Sequence, residues 1–139
     1  MKAYEKYKSA SATTSSTFGQ LIFIFEEMLK LLHISQKAVG ESNHTIKYQS
    51  LNKVIEVLYM LKSGIDIETA DENTKNLDVF YGATIVKLEN INSHTTQESS
   101  ELDEVINAIN EVRIALDNAT SHHEENALES SNKAIEEQV

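Results

Sequence analysis

The chain has 139 residues and a formal net charge of −10, and it contains no proline, no cysteine and no tryptophan. This length is enough for one domain with a buried core, and the absence of cysteine excludes disulfide bonds and thiolate chemistry. Because nucleic-acid binders present a basic surface, an acidic chain whose single arginine is Arg113 argues against nucleic acid as a partner.

The N-terminal segment has the composition of an arm rather than of a core element. Tyr4 and Tyr7 stand among lysines, and residues 9–17 are only serine, alanine and threonine. A stretch of this kind predicts a flexible connector, an extended arm or a short helix before the first long helix.

The first long helix is predicted to begin at Thr17, which forms a capping box with Gln20. We expect it to end at about Val39, with Gly40 as its stop. Apolar side chains recur along this segment at the spacing of one helix face: Phe18, Leu21, Ile22, Phe25, Met28, Leu29 and Leu32.

Two more helices follow from the same periodicity. The second is predicted over about residues 45–63, with Gly64 at its end. The third is predicted to open with a capping box at residues 69–72 and to run to about Asn92. Because the links between these segments are short and polar, consecutive helices should lie side by side and antiparallel.

A fourth helix is predicted from Ser99 or Ser100, with apolar residues at helical spacing as far as Leu116. Residues 121–139 are acidic and weakly periodic, which predicts a frayed helix or disorder. The predicted architecture is therefore an all-α, antiparallel four-helix bundle over residues 1–120, with a short N-terminal arm and an acidic tail over residues 121–139.

Three of these helices carry more apolar residues than one core-facing stripe requires. The surplus predicts a second apolar surface that accepts an amphipathic helix of a partner. An alternative is that these residues are buried, because a central helix is often apolar all round. We predict the partner-binding residues to be Tyr7, Phe23, Ile24, Leu31, Ile34, Val57, Met60, Val79 and Val86.

Catalytic patterns are weak in this sequence. A histidine phosphotransfer bundle, which carries a reactive histidine followed by lysine and glycine, remains an alternative: His44 and Lys47 fit its first two positions, but Tyr48 follows. No zinc motif or phosphate-binding glycine loop is present, and we predict no enzyme activity, no cofactor and no metal site. With no run of ~20 apolar residues and no signal-peptide cleavage site, the chain is expected to be cytoplasmic and not inserted in a membrane.

Several motifs in order resemble one family, the FliS-type flagellin-export chaperones. Tyr7 is followed by a Ser/Thr element and then by the apolar helix, and residues 54–66 resemble the family's second helix and its Leu-Asp turn. Asn76, Leu77 and Tyr81 match an element of its third helix. The resemblance covers about residues 3–119, although Thr17 stands where the family usually has proline and the usual glycines before the third helix are absent.

This resemblance implies a soluble antiparallel helical bundle in the cytosol that binds the C-terminal helical segment of flagellin. Covering that segment would prevent premature polymerisation and keep flagellin competent for type III export through the flagellum. The flagellar export machinery or regulators are further candidate partners. Thr17, Leu77 and Tyr81 are the structural motif residues that the resemblance implies. A helical adaptor for another secreted or regulatory protein is the remaining alternative, and the oligomeric state stays open.

Overall fold

The computed structural model describes the backbone of residues 17–94 and 100–137, and the side chains of residues 18–94 and 100–121. Within these ranges the chain forms four α-helices and no strand, which confirms the predicted all-α four-helix bundle. The helices are α1 (Thr17–Gly40), α2 (His44–Ser63), α3 (Glu72–Ser93) and α4 (Ser100–Glu137). The predicted N-terminal arm, with Tyr7, lies outside the described residues.

The helix boundaries follow local capping chemistry. At the start of α2 the side-chain oxygen of Asn43 accepts a hydrogen bond from the backbone N–H of Ile46, 3.1 Å away. Between α1 and α2 the chain turns at Ser42, the one described non-glycine residue with a positive φ, at 56°. Gly40 is the last residue of α1, as its sequence position predicts, but the left-handed residue of the turn is Ser42.

The start of α3 differs from the sequence prediction. The capping residue is Asp71, and its carboxylate accepts a hydrogen bond from the backbone N–H of Thr74 at 2.8 Å. Thr69, the predicted cap, instead belongs to the preceding turn, where its N–H donates to the carbonyl of Asp66. A carboxylate at this position also interacts favourably with the positive end of the helix dipole. The hydrogen bond from Thr74 holds the pKa of Asp71 below its usual value.

The chain divides into two compact units. The first unit comprises residues 1–26 and 110–139, and among its described side chains Phe25 and Leu116 are buried. The second unit comprises residues 27–109 and contains most of the described core. The helix α4 continues to Glu137, and the division of the chain at residues 120 and 121 remains a prediction.

Two buried serines join α1 to α2 inside the second unit. The hydroxyl oxygens of Ser35 and Ser50 lie 2.7 Å apart, and each hydroxyl also lies within hydrogen-bond reach of a carbonyl one turn earlier in its own helix. Because buried hydroxyls must be paired, this contact fixes the antiparallel register of the two helices.

Polar contacts at both ends fix the pairing of α2 with α3. At one end, the ammonium of Lys62 forms a 2.8 Å ion pair with Asp78, and its side chain lies over Gly82, where a Cβ would be 3.7 Å from the Lys62 Cε atom. At the other end, the Nδ2 group of Asn92 donates to Asn52 at 3.0 Å. These contacts establish that α2 and α3 are antiparallel, as the short link between them predicts.

Substitution by alanine at two positions of α3 separates core positions from surface positions. Leu88 is fully buried, so Leu88→Ala should lower the free energy of unfolding by about 2–5 kcal/mol. Val86→Ala, two residues earlier on the exposed side, should change it by no more than ~0.5 kcal/mol. Urea denaturation of both variants measures the difference, and equal losses of stability would contradict the assignment of the two faces of α3.

Candidate functional site

The outer side of α3 carries a stripe of aliphatic side chains. Val79 and Val86 are 70% and 66% exposed, and Ala83 lies exposed between them. Spacings of four and three residues put these side chains on one side of the helix. The core residues Tyr81 and Leu88 lie on the opposite side. We call the exposed stripe of Val79, Ala83 and Val86 the α3 face.

A polar edge borders the α3 face on the side of α2. The hydroxyl of Tyr59 on α2 donates to the carboxylate of Glu89 on α3, 3.0 Å away. This hydrogen bond and the negative charge of Glu89 raise the pKa of Tyr59. Because Tyr59 is still 52% exposed, its ring remains accessible at this edge. The edge therefore combines an aromatic surface with a carboxylate and the nearby Lys62–Asp78 pair.

The predicted partner-binding residues of α1 are less exposed than those of α3. Within the second unit, Ile34 is 48% exposed and Leu31 is half-buried. Within the first unit, Phe23 and Ile24 are half-buried. Ile34 is therefore the most accessible of the predicted residues on α1.

Two predicted residues of α2 prove to differ in burial. Met60 is half-buried, whereas Val57 is only 6% exposed and belongs to the core. Val57 lies seven residues after Ser50 and therefore on the side of α2 from which Ser50 contacts Ser35 of α1. The interpretation of Val57 as a surface residue is corrected by its burial, and its part in partner binding stays a prediction.

The motif residues occupy structural positions. Thr17 is the first residue of α1, and Leu77 is half-buried. Tyr81 is 2% exposed, and burial raises the pKa of its hydroxyl to about 12. Its ring lies 6.1 Å from that of Phe80, between centroids. Tyr81 therefore contributes to the core of the second unit rather than to a partner surface.

Comparison with known proteins identifies the family. The family model described as "Flagellar protein FliS" matches residues 1–123, and the matched range includes every predicted site residue. The chain belongs to the FliS family. It is also 23% identical over 118 residues to the flagellar secretion chaperone FliS of Vibrio cholerae serotype O1 (strain ATCC 39315 / El Tor Inaba N16961), a match that covers 84% of this chain and 85% of that protein. The family assigns this chain to the flagellar proteins.

Sequence reasoning missed the exposed tyrosines of α2. Tyr48 and Tyr59 are both more than half exposed, and Asn52 lies on the same side of the helix. Their separations of four and seven residues are a helical-face signal that the sequence contains. Tyrosine occurs both in cores and on surfaces, so the spacing alone does not indicate that these two rings are accessible.

The geometry around His44 does not favour phosphotransfer. His44 is the first residue of α2 rather than a residue at the middle of a helix, and Lys47 is buried. The ammonium of Lys47 donates a hydrogen bond to the carbonyl of His94, at the C-terminal end of α3. A cation at this end of a helix stabilises it through the helix dipole. Lys47 therefore holds α2 against α3 and is not available to a phosphoryl group on His44.

The part of the chain that the structure describes also bears on metal binding and on membrane insertion. There, no three or more histidine or carboxylate side chains come together in a group that could hold a metal ion. None of the helices, over the residues described, combines the length and the apolar character that crossing a bilayer requires.

The buried Lys47 should make stability depend on pH in the alkaline range. Burial lowers the pKa of Lys47 from its usual value of 10.5, so between these two pKa values the unfolded chain holds more protons than the folded one. In that window stability rises with pH. We expect the free energy of unfolding of the wild type to rise relative to that of Lys47→Met as the pH approaches 10.5.

Urea denaturation at a series of pH values measures this difference. Subtracting the values of Lys47→Met removes the titration of the other lysines and the tyrosines. A difference that is constant, or that falls as the pH rises, would contradict the burial of Lys47.

Proposed function

We propose that this chain is an export chaperone that binds the C-terminal helical segment of flagellin in the cytoplasm. In this role it prevents premature polymerisation of flagellin and keeps it competent for type III export through the flagellum. Membership of the FliS family and the similarity to a flagellar secretion chaperone support the proposal. The single observation that carries it is the exposed α3 face, with Val79 and Val86 more than 60% exposed.

An exposed aliphatic stripe suits a helical partner. Val79, Ala83 and Val86 form a shallow surface into which the apolar side of an amphipathic helix packs. Isolated apolar residues are common on protein surfaces, but two valines in line with a small residue between them present a continuous contact. Because the chain carries a net charge of −10, it favours apolar or basic partner segments over acidic ones.

The free energies of burial and of association require apolar contact residues on more than one helix. Each buried aliphatic side chain contributes roughly 1.5–3 kcal/mol, and association costs on the order of 4–15 kcal/mol. Val79 and Val86 alone therefore do not hold a partner. Ile34 on α1, which is 48% exposed, and the half-buried Leu31 are the next available anchors in the second unit.

A partner segment that is disordered alone and folds on binding suits a chaperone. Part of the gross interaction energy is then used to order the segment, so binding is specific but not very tight. The export machinery can consequently remove the cargo. No nucleotide, metal ion or covalent step is needed for this cycle, and we propose that the chain is not an enzyme.

Substitution on the α3 face tests the proposal. Val79→Asp puts a charge where an apolar contact is proposed, so the affinity for a flagellin C-terminal peptide should fall at least about tenfold. The free energy of unfolding should change by no more than ~0.5 kcal/mol, because Val79 is exposed. Isothermal titration calorimetry measures the affinity.

The matched control is Ile67→Asp, which introduces the same charge at an exposed isoleucine in the link between α2 and α3. This variant should bind the peptide as the wild type does. If the wild type does not bind the peptide, the proposed cargo is wrong. If Val79→Asp binds as well as the wild type, cargo binds elsewhere. A cargo other than flagellin, captured through the same face, would support the helical-adaptor alternative.

A further inference from the structure

The α3 face is complementary to the α3 face of a second copy when the two α3 helices run antiparallel. In an antiparallel pair of α3 helices centred between Gly82 and Ala83, residues equally far from the centre lie opposite each other. Val79 precedes Ala83 by four residues and Val86 follows Gly82 by four. The valines of one copy therefore contact those of its partner, and the small side chain of Ala83 lies next to the centre, beside Gly82, which the side chain of Lys62 covers.

The charges beside the stripe are complementary in the same arrangement. Lys75 and Glu89 are both exposed, and both lie on the side of α3 that faces α2. They are placed almost symmetrically about the centre, eight residues before Ala83 and seven after Gly82. In the antiparallel pair each Lys75 faces a Glu89 of the other copy, which gives two equivalent ion pairs.

The centre of the interface contains no unpaired charge. Lys62 reaches this region from α2, with its Cε atom near Gly82, but its ammonium is already paired with Asp78 at 2.8 Å. Asn90 lies in line with the stripe, seven residues after Ala83, and Asn76 and Lys87 lie on the side away from α2. All three are exposed and bring no two carboxylates into contact. Desolvating this surface therefore leaves no isolated buried charge, which is the usual obstacle to pairing through a polar helix.

We propose that two copies of this chain associate through antiparallel α3 helices, with Val79 of each copy against Val86 of the other and Lys75 of each copy against Glu89 of the other. The association is weak, because the contact is one helix wide and each copy carries a net charge of −10. Where the proposed function holds, the pairing also covers the α3 face until cargo arrives, so a second copy and cargo compete for Val79 and Val86.

Sedimentation equilibrium of the full chain tests the pairing in the absence of any cargo. The average mass should rise from 15.6 kDa toward twice that value as the protein concentration increases from about 1 µM to about 1 mM. Val79→Asp should weaken the association at least about tenfold, and the control Ile67→Asp should leave it unchanged. A chain that stays monomeric throughout, or an association that Val79→Asp does not weaken, overturns the proposal.

A charge exchange tests the register. Lys75→Glu alone and Glu89→Lys alone should each weaken the association at least about fivefold, and the double variant should restore it. Lys75 and Glu89 are fourteen residues apart on one helix, about 21 Å, so they do not contact each other within one copy. Rescue must therefore come from contact between copies, and a double variant as weak as the single variants would overturn this register.

Glu89 also accepts a hydrogen bond from Tyr59, and that contact needs its own control. Tyr59→Phe removes this bond without changing the charge at the interface, so it should leave the association within about twofold of the wild type. A loss as large as that of Glu89→Lys would mean that Glu89 acts within its own copy, which contradicts the proposed ion pair.

Adding the flagellin C-terminal peptide to the associated protein separates this proposal from the proposed function. Competition predicts that the peptide lowers the average mass of the complex to one chain plus one peptide. A peptide that binds without dissociating the copies overturns the competition. A peptide that binds no form of the protein refutes the proposed cargo, while the pairing stands on the charge exchange alone.

Discussion

The structure depends on one constraint: α3 is apolar on two opposite sides, and the bundle buries only one of them. Tyr81, Ile85 and Leu88 fill the core of the second unit, while Val79 and Val86 stay exposed on the far side of the same helix. Moving the valines inward would require α3 to turn about its axis, which would break its contacts with α2. Because aliphatic surface in water is unfavourable, the outer valines leave the helix with a site that another chain can cover.

Polar contacts hold α3 in this orientation. The Lys62–Asp78 pair and the Asn92–Asn52 hydrogen bond lie near opposite ends of the α2–α3 contact, and the buried Lys47 reaches the carbonyl end of α3. Each bond adds only about 1 kcal/mol net, but leaving a buried partner unsatisfied costs more. The contacts thus select one rotation of α3 and so determine which of its residues a partner meets.

The helices and their order could be predicted from apolar periodicity, glycine positions and the absence of proline, because these act within a few residues of the chain. The accessible site could be predicted only in part. Val79 and Val86 stand opposite the core stripe of their own helix, and that relation can be derived from the sequence. Val57 instead lies beside the core stripe of α2, three residues after Val54 and four before Leu61, and the side of α2 that it shares with Ser50 is buried. Which side a neighbouring helix covers depends on tertiary packing, which the periodicity of one helix does not contain.

The temperature dependence of the binding enthalpy of a flagellin C-terminal peptide tests the central claim most directly. Burial of apolar surface gives a negative heat-capacity change, so coverage of the α3 face predicts an enthalpy that becomes more negative as the temperature rises. The slope should be smaller for a variant in which Val79 and Val86 are both replaced by serine. A heat-capacity change near zero, or one that is the same for this variant and the wild type, would contradict the claim that this exposed face receives the partner.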